Sequence, residues 1–238
     1  MKRPGVLLAV ASLAIVAALA GAGAARAADE CNGLLVCLPA AGPWVVVPPG
    51  SPGRVEYLLA CPRRGYIVAG TDVRISDRQL DVGIRGETGA PVGPGTTTRE
   101  SVVFGGLFAG GARPVAFKPF VGCVPTSGGG ARSQTARTSS HEGLKPTRPV
   151  DRLARTWALS VGTRRIEARC PGSARLVAAS HAVGFRVVPP PSEAALRAVT
   201  TKVTPAPNGI AVTVTVRGPA GGAKPELQLL ALCTRTSP

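Results

Sequence analysis

Histidine and aspartate are the residues of this 238-residue chain whose types could support hydrolytic chemistry, and the histidines are scarce. Only two are present, His141 and His181. A Ser-His-Asp triad would combine His181 with one of many serines, but the G-x-S-x-G elbow that positions such a serine does not occur. Two histidines also leave almost no room for a metal site together with an acid–base group. The sequence therefore argues against an enzyme, and we expect neither a bound metal nor a cofactor.

Three aspartates, Asp72, Asp77 and Asp81, lie together in the segment TDVRISDRQLD. They are candidates for a Ca²⁺ site or for the carboxylate pair of a glycosidase. Their spacing is not that of a calcium loop, and arginines are interleaved with them. The pattern favours local salt bridges on an exposed hairpin.

A glycine-rich segment, GGLFAGG at 105–111, is the nearest approach to a phosphate-binding loop. It lacks the Lys-Ser/Thr pair that contacts phosphate and magnesium in such loops. We therefore predict a turn at this segment.

The first 27 residues have the three parts of a secretory signal peptide. Met1–Arg3 is basic, Val6–Ala20 is an apolar run of 15 residues, and Ala25-Arg26-Ala27 is an A-x-A cleavage pattern. A membrane-spanning helix needs roughly 20 apolar residues, which is more than this run provides. We expect cleavage after Ala27 and a secreted protein with no lipid anchor and no transmembrane segment.

Six cysteines remain after that cleavage, and an even number in an exported chain indicates three disulfides. An internal repeat selects one pairing. Cys-Pro occurs twice, at Cys61 and Cys170, and the next cysteine follows 62 and 63 residues later. Repeat symmetry therefore predicts the bridges Cys61–Cys123 and Cys170–Cys233, which leaves Cys31–Cys37 as a small N-terminal loop.

The two copies align without gaps from their Cys-Pro pairs, as CPRRGYIVAGT and CPGSARLVAAS. This alignment places Val68 opposite Val177 and Asp72 opposite His181. The two tryptophans of the chain lie upstream of the two copies, at Trp44 and Trp157. The agreement indicates two copies of one structural unit.

Alternating apolar residues separated by Gly and Pro clusters predict β-strands in both copies. The clearest strand runs from Ile210 to Val216. One short segment, Ser192–Val199, suits either a helix capped by Ser192 or another strand. The fold class is therefore all-β, with two tandem disulfide-pinned β-sandwich-like units joined by a flexible linker.

The domain boundaries follow from these patterns. Residues 1–27 are the signal peptide and 28–42 the N-terminal disulfide loop. The sandwich-like units span 43–125 and 151–238. Residues 126–150 are rich in Gly, Ser and Thr, which is the composition of a flexible linker. The alternative is a long surface loop of one larger domain.

The second unit resembles a module found in secreted proteins of high-GC bacteria, which opens with Cys-Pro-x-Gly and closes with a Thr-Val-Thr-Val-Arg strand and a final Cys. The corresponding residues are Cys170-Pro171-Gly172 at the opening, and 213–217 and Cys233 at the close. The match departs at Ala179-Ser180, where the module has Gly-Gly. The resemblance implies exported β-structure and no assigned activity.

Basic residues outnumber acidic ones by 28 to 13, a formal charge of +15. Signal cleavage would lower this to +12, of which the second unit carries +8. Such an excess favours attraction to anionic polymers or surfaces. The second unit contains few aromatic side chains on which bases could stack, so nucleic acid is not an expected partner. The candidate anionic contacts are Arg164, Arg165, Arg169, Arg175 and Arg186.

These observations predict a secreted, non-catalytic β-protein that acts as a cell-envelope-associated binding or structural module for anionic surfaces or for other extracellular proteins. The alternative is a secreted hydrolase that uses His181 or the group of Asp72, Asp77 and Asp81.

Overall fold

The computed structural model describes residues 29–31, 36–50, 53–86, 100–125, 150–218 and 222–234. These residues form an almost entirely β structure with three disulfides. The predicted signal peptide at 1–27 lies outside the described residues, as do residues 126–149 of the predicted linker. We call residues 38–125 the first half and residues 150–234 the second half.

The first half follows a short 3-10 turn at Asp29–Cys31 and contains seven strands: β1 Leu38–Ala41, β2 Trp44–Val47, β3 Gly53–Ala60, β4 Tyr66–Ile75, β5 Leu80–Gly86, β6 Ser101–Phe108 and β7 Val115–Pro125. The second half contains six strands and a short helix: β8 Val150–Ala158, β9 Gly162–Arg169, β10 Leu176–Arg186, α1 Glu193–Arg197, β11 Val199–Ala206, β12 Gly209–Val216 and β13 Lys224–Thr234.

The strands form three antiparallel sheets. The central sheet has the order β1-β7-β2-β10-β13-β8, and β4 pairs with the remaining side of β7. The first outer sheet is β3-β6-β5, and the second outer sheet is β9-β12-β11. The central sheet is continuous between the halves because Trp44 and Val45 of β2 pair with Phe185 and Gly184 of β10.

Strands of the two halves pair in the same order. In each half, the strand that carries the last cysteine (β7 or β13) pairs with the strand that follows Cys-Pro (β4 or β10). The penultimate strand of each half, β6 or β12, is likewise the middle strand of its outer sheet. The bridges Cys61–Cys123 and Cys170–Cys233 are those that the repeat predicts, and Cys31–Cys37 is the third.

The ungapped alignment of the two copies is wrong by one residue. Val68 and Leu176 each lie opposite the last cysteine of their half, and an irregularity follows in both strands. Val177, which the alignment places opposite Val68, is 57% exposed, whereas Val68 is fully buried. Because the loop after Cys170 is one residue shorter, the counterpart of His181 is Val73 and not Asp72.

The two outer sheets lie on opposite faces of the central sheet, since successive side chains of a strand point to opposite faces. Val45 and Val47 of β2 enter the core beneath the first outer sheet. Trp44 enters the core beneath the second outer sheet, together with Phe185 and Leu227. Each half therefore has its own hydrophobic core, and β2 contributes to both.

Polar contacts also connect the halves. The hydroxyl of Tyr57 donates to the buried carboxylate of Glu226 over 2.9 Å. The pKa of Tyr57 is raised, first by burial and then by the Glu226 charge. The indole nitrogen of Trp44 donates to the carbonyl oxygen of Val188 over 3.3 Å. These bonds cross between halves that are far apart in sequence.

The segment for which sequence left helix and strand open is helical at Glu193–Arg197. Ser192 caps this helix, and its side chain accepts a hydrogen bond from the Ala195 backbone N–H. The expected turn at 105–111 is wrong for its first four residues, which belong to β6. Gly106 is required there because a Cβ would overlap the side chains of Phe117 and Val47.

Candidate functional site

Three of the five arginines predicted to contact anions are already paired with carboxylates. Arg165 and Arg169 flank Glu167 on β9 and donate to its two oxygens at 3.0 and 2.7 Å. Hydrogen bonds from Arg169 and then Arg165 hold the pKa of Glu167 below its usual value. Arg186 forms an ion pair with Glu226 at 2.5 Å. The charge of these arginines is therefore partly neutralised within the fold.

The other two predicted arginines lie far from each other. Arg164 is opposite Val214 near the start of β9. Arg175 lies beside Thr234, which bonds its backbone, near the Cys170–Cys233 bridge at the other end of that half. Cys170 is six positions after Arg164, which is about 20 Å along an extended strand. The five arginines therefore do not share one patch.

His181 lies on β10 and contacts a hydroxyl group. Its Nε2 atom is 2.9 Å from the Oγ1 atom of Thr201 on β11. Burial alone lowers the pKa of His181. No hydrogen bond between this imidazole and a carboxylate occurs within the described residues, so the geometry lacks the acid that orients the histidine of a hydrolytic triad.

The three aspartates do not lie on a hairpin, because β4 and β5 belong to different sheets. Asp72 lies on β4, Asp77 in the following turn and Asp81 on β5. Asp77 pairs with Arg113, at 2.6 Å, and not with the arginines interleaved in its own segment. The pKa of Asp77 is lowered, first by a backbone hydrogen bond from Gln79 and further by Arg113. Across the ranges that the structure describes, no cluster of His, Cys, Asp and Glu could hold a metal ion.

Two basic residues that sequence analysis did not select lie side by side in the central sheet. Arg74 of β4 lies directly opposite Lys118 of β7 in the central sheet. The Arg74 guanidinium carbon is 5.2 Å from the centre of the Phe120 ring. The Lys118 ammonium is 5.8 Å from the same ring and 6.0 Å from Trp44. We call Arg74, Lys118 and Phe120 the cationic site.

The surroundings of the cationic site disfavour the positive charge of Lys118. Lys118 is half-buried, and its pKa is lowered by burial, by Arg74 and by Arg186. Like charges directly opposite each other destabilise a sheet. Among the described residues, neither Arg74 nor Lys118 forms an ion pair with a carboxylate. The site therefore presents two adjacent positive charges that are not ion-paired within the described residues, although Asp72 lies opposite Phe120 on the same face.

Lys118 also contacts the other half. Its ammonium donates to the carbonyl oxygen of Val187 over 3.0 Å. An ammonium has three N–H donors, so two remain for other acceptors. The fixed side chain and the adjacent guanidinium can together hold a phosphate, sulfate or carboxylate group.

A signal in the sequence could have identified Lys118. It is the single charged residue in the strand VAFKPFVGCVP, whose other members are apolar or small. A charge on such a strand must either be buried with a partner or lie on the exposed face of its sheet. Arg74 has no comparable signal, because it becomes notable only through its cross-strand position.

Comparison of the chain with known protein families, curated proteins and solved structures finds no match. In the described part of the chain, helices of the length and apolarity needed to cross a membrane are absent. The three disulfides and this absence are compatible with an extracellular protein.

Proposed function

We propose that the protein is a secreted, non-catalytic module that binds anionic polymers of the cell envelope through the cationic site. The carrying observation is the adjacent pair Arg74 and Lys118, which forms no ion pair with a carboxylate among the described residues and lies beside Phe120. A fold that places two cations at neighbouring positions on a half-buried surface gains stability when an anion binds there. Repeating phosphate or carboxylate groups on a polymer provide such anions.

The architecture proposed for this module is two copies of one unit, with a signal peptide before them and a linker between them. The same order of strand pairing in both halves supports the duplication. Equivalent bridges, 62 and 63 residues apart in sequence, support it as well. Disulfides of this kind are typical of proteins that fold outside the cytosol.

Arginines that already pair with a carboxylate provide a matched control for the test. The first variant combines Arg74→Gln with Lys118→Met, which removes two charges from the cationic site and keeps most of each side chain. The second combines Arg165→Gln with Arg169→Gln, which removes the same charge from residues already paired with Glu167. Thermal unfolding of both variants monitors the fold.

The measurement is binding of fluorescein-labelled polyphosphate and poly-glutamate at several salt concentrations, followed by sedimentation with purified cell walls. We expect the first variant to bind at least fivefold more weakly, with a shallower dependence on salt. The second should remain within about twofold of the wild type, because its arginines already have a counterion. Equal losses in both variants would show that only net charge matters, and absence of binding by the wild type would reject the proposal.

A further inference from the structure

A groove of about 400 Å³ lies where the first outer sheet ends above the second half of the central sheet. One wall is the outer edge of β3 at Arg54, Val55 and Glu56, which pairs with no strand of the described residues. The floor is formed by β10 and β13, through Ala178, Ser180, Leu230 and Leu232. None of these residues takes part in the cationic site.

At Leu58, the outer edge of β3 forms two backbone hydrogen bonds with the side chain of Gln228. That side chain takes the place of a neighbouring strand. The carboxamide oxygen of Gln228 accepts from the Leu58 backbone N–H at 2.7 Å, and its nitrogen donates to the Leu58 carbonyl at 3.0 Å. Leu58 therefore directs both backbone groups away from β6. Strand backbone groups alternate with a period of two, so Glu56 and Arg54 direct theirs the same way.

Beneath Glu56 and Arg54, β13 has no side chain that could bond the β3 backbone as Gln228 does. Two and four residues after Gln228, β13 presents Leu230 and Leu232, whose side chains have no polar atom. Ser180, opposite Leu230, has a buried hydroxyl oxygen that lacks a hydrogen-bond partner within the described structure. The groove therefore combines a strand edge that is unpaired among the described residues, apolar side chains at Leu230 and Leu232, and one hydroxyl without a partner. Arg152 and His181 also line it.

The first half shows what covers the equivalent surface. Gly70 and Gly122 hold the positions of Ala178 and Leu232, because each pair follows the irregularity beside the last cysteine. In the first half a peptide segment covers them, since the Glu30 carbonyl oxygen lies where a Cβ on either glycine would be. The corresponding surface of the second half is the floor of the groove.

We propose that this groove binds one extended peptide segment of a partner protein, which adds to the free edge of β3 as a further strand. Main-chain groups of Glu56 and Arg54 pair with the peptide backbone, and small or apolar side chains pack on Leu230 and Leu232. Addition of a strand to an open edge is a recurrent mode of peptide recognition. This inference is independent of the proposed binding of anionic polymers.

The test uses the full chain labelled with ¹⁵N and the blocked heptapeptide Ac-Glu-Thr-Val-Thr-Val-Thr-Glu-NH₂ as the probe. We expect the peptide to slow amide hydrogen exchange at least tenfold at Glu56 and Arg54. Exchange at Val55 should not change, because its amide already faces β6. This alternation distinguishes strand addition from contact with side chains.

Two substitutions at one position separate the backbone from the side chain. Glu56→Pro removes the N–H at the free edge, where proline is tolerated, while Glu56→Thr keeps the N–H. Both remove the carboxylate that pairs with Arg54 and Arg85. We expect peptide affinity to fall at least tenfold in the proline variant and less than threefold in the threonine variant.

Several results would overturn the proposal. One is no change in exchange at 1 mM peptide, and another is equal affinity of the two variants. Protection of Glu56 and Arg54 before peptide is added would show that the edge is already occupied. Light scattering would then assign the occupant to a second copy, if the protein is dimeric, or to a segment of the same chain, if it is monomeric.

Discussion

In each half, one face of the central sheet points away from that half's own core. These two faces differ in their side chains, although the strands of the two halves pair in the same order. In the first half this face carries Lys118, and in the second half the same position carries Gln228. Both side chains reach a backbone carbonyl of the opposite half, at Val187 and at Leu58, and both distances are 3.0 Å. One position thus contacts the other half in both cases, but only Lys118 brings a charge.

The comparison teaches that similar strand pairing does not imply similar surface chemistry. Counting charges along the sequence assigns most of the positive excess to the second unit. The fold pairs Arg165 and Arg169 with Glu167, and Arg186 with Glu226, in the second half. Among the described residues of the first half, Arg74 and Lys118 lie opposite each other and form no ion pair with a carboxylate.

The largest predicted effect concerns the two long disulfides. Replacing Cys61 and Cys123 with Ala should lower the free energy of unfolding by about 4 kcal/mol, because the bridge restricts the unfolded chain. Replacing Cys170 and Cys233 with Ala should have nearly the same effect, since both bridges close loops of similar length. Urea unfolding measures both values, and losses that differ by more than about 2 kcal/mol would contradict the equivalence of the bridges.

A smaller effect is expected at Glu226, whose counterpart in the first half is Ala116. Glu226→Ala gives both halves the same residue, and it should cost about 2 kcal/mol because Tyr57 and Arg186 lose their acceptor. Glu193→Ala is the matched control, since its ion pair with Arg197 is exposed and should contribute less than about 0.5 kcal/mol. Thermal unfolding of the two variants measures the contrast, and equal changes would exclude a structural role for the Tyr57–Glu226 contact.

Loss of the polar group should lower the free energy of unfolding more at Gln228 than at Lys118. Gln228→Leu should cost about 1 kcal/mol, because the two backbone groups of Leu58 lose their partner. Lys118→Met should cost less, since it also removes a desolvated charge that Arg74 repels. Urea titration of both variants measures the difference, and a larger loss for Lys118→Met would indicate that this lysine serves stability and not binding.

The smallest effect concerns pH and compares His181 with its counterpart Val73. Burial lowers the pKa of His181 in the folded state, so below its unfolded value of 6.5 the unfolded chain binds more protons. The stability that neutral His181 contributes is therefore present above pH 6.5 and is lost as pH falls through the folded pKa. His181→Val should remove this loss, so the wild type should weaken relative to the variant between pH 7 and pH 5. Parallel unfolding curves across that range would contradict the burial of His181.

Much of the scaffold follows from sequence because alternation and cysteine spacing are local or symmetric signals. The strand predicted at Ile210–Val216 is present as part of β12, and the bridges match those selected by the repeat. The two strands beside β12 were not predicted. β9 is rich in arginine and β11 is largely exposed, so neither has a clear apolar face.

The site was harder to predict because it depends on register between strands that are distant in the sequence. Arg74 and Lys118 become neighbours only when β4 pairs with β7. The one-residue slip after Cys170 also changes which residues correspond, and no composition signal reveals it. The pairing of Arg165 and Arg169 with Glu167 could have been anticipated, since alternate residues of a strand share a face, but only once β9 is recognised.

The junction of β2 with β10 has a mechanical consequence. Two residue pairs join these strands, whereas ten join β10 to β13. A tension that pulls the halves apart would therefore open the chain first at this junction. Each half would keep the disulfide that ties its last strand to its Cys-Pro segment. The molecule would lengthen by separating the two halves, which would also withdraw Trp44 of β2 from the core of the second half. The short junction could form again when the tension ends.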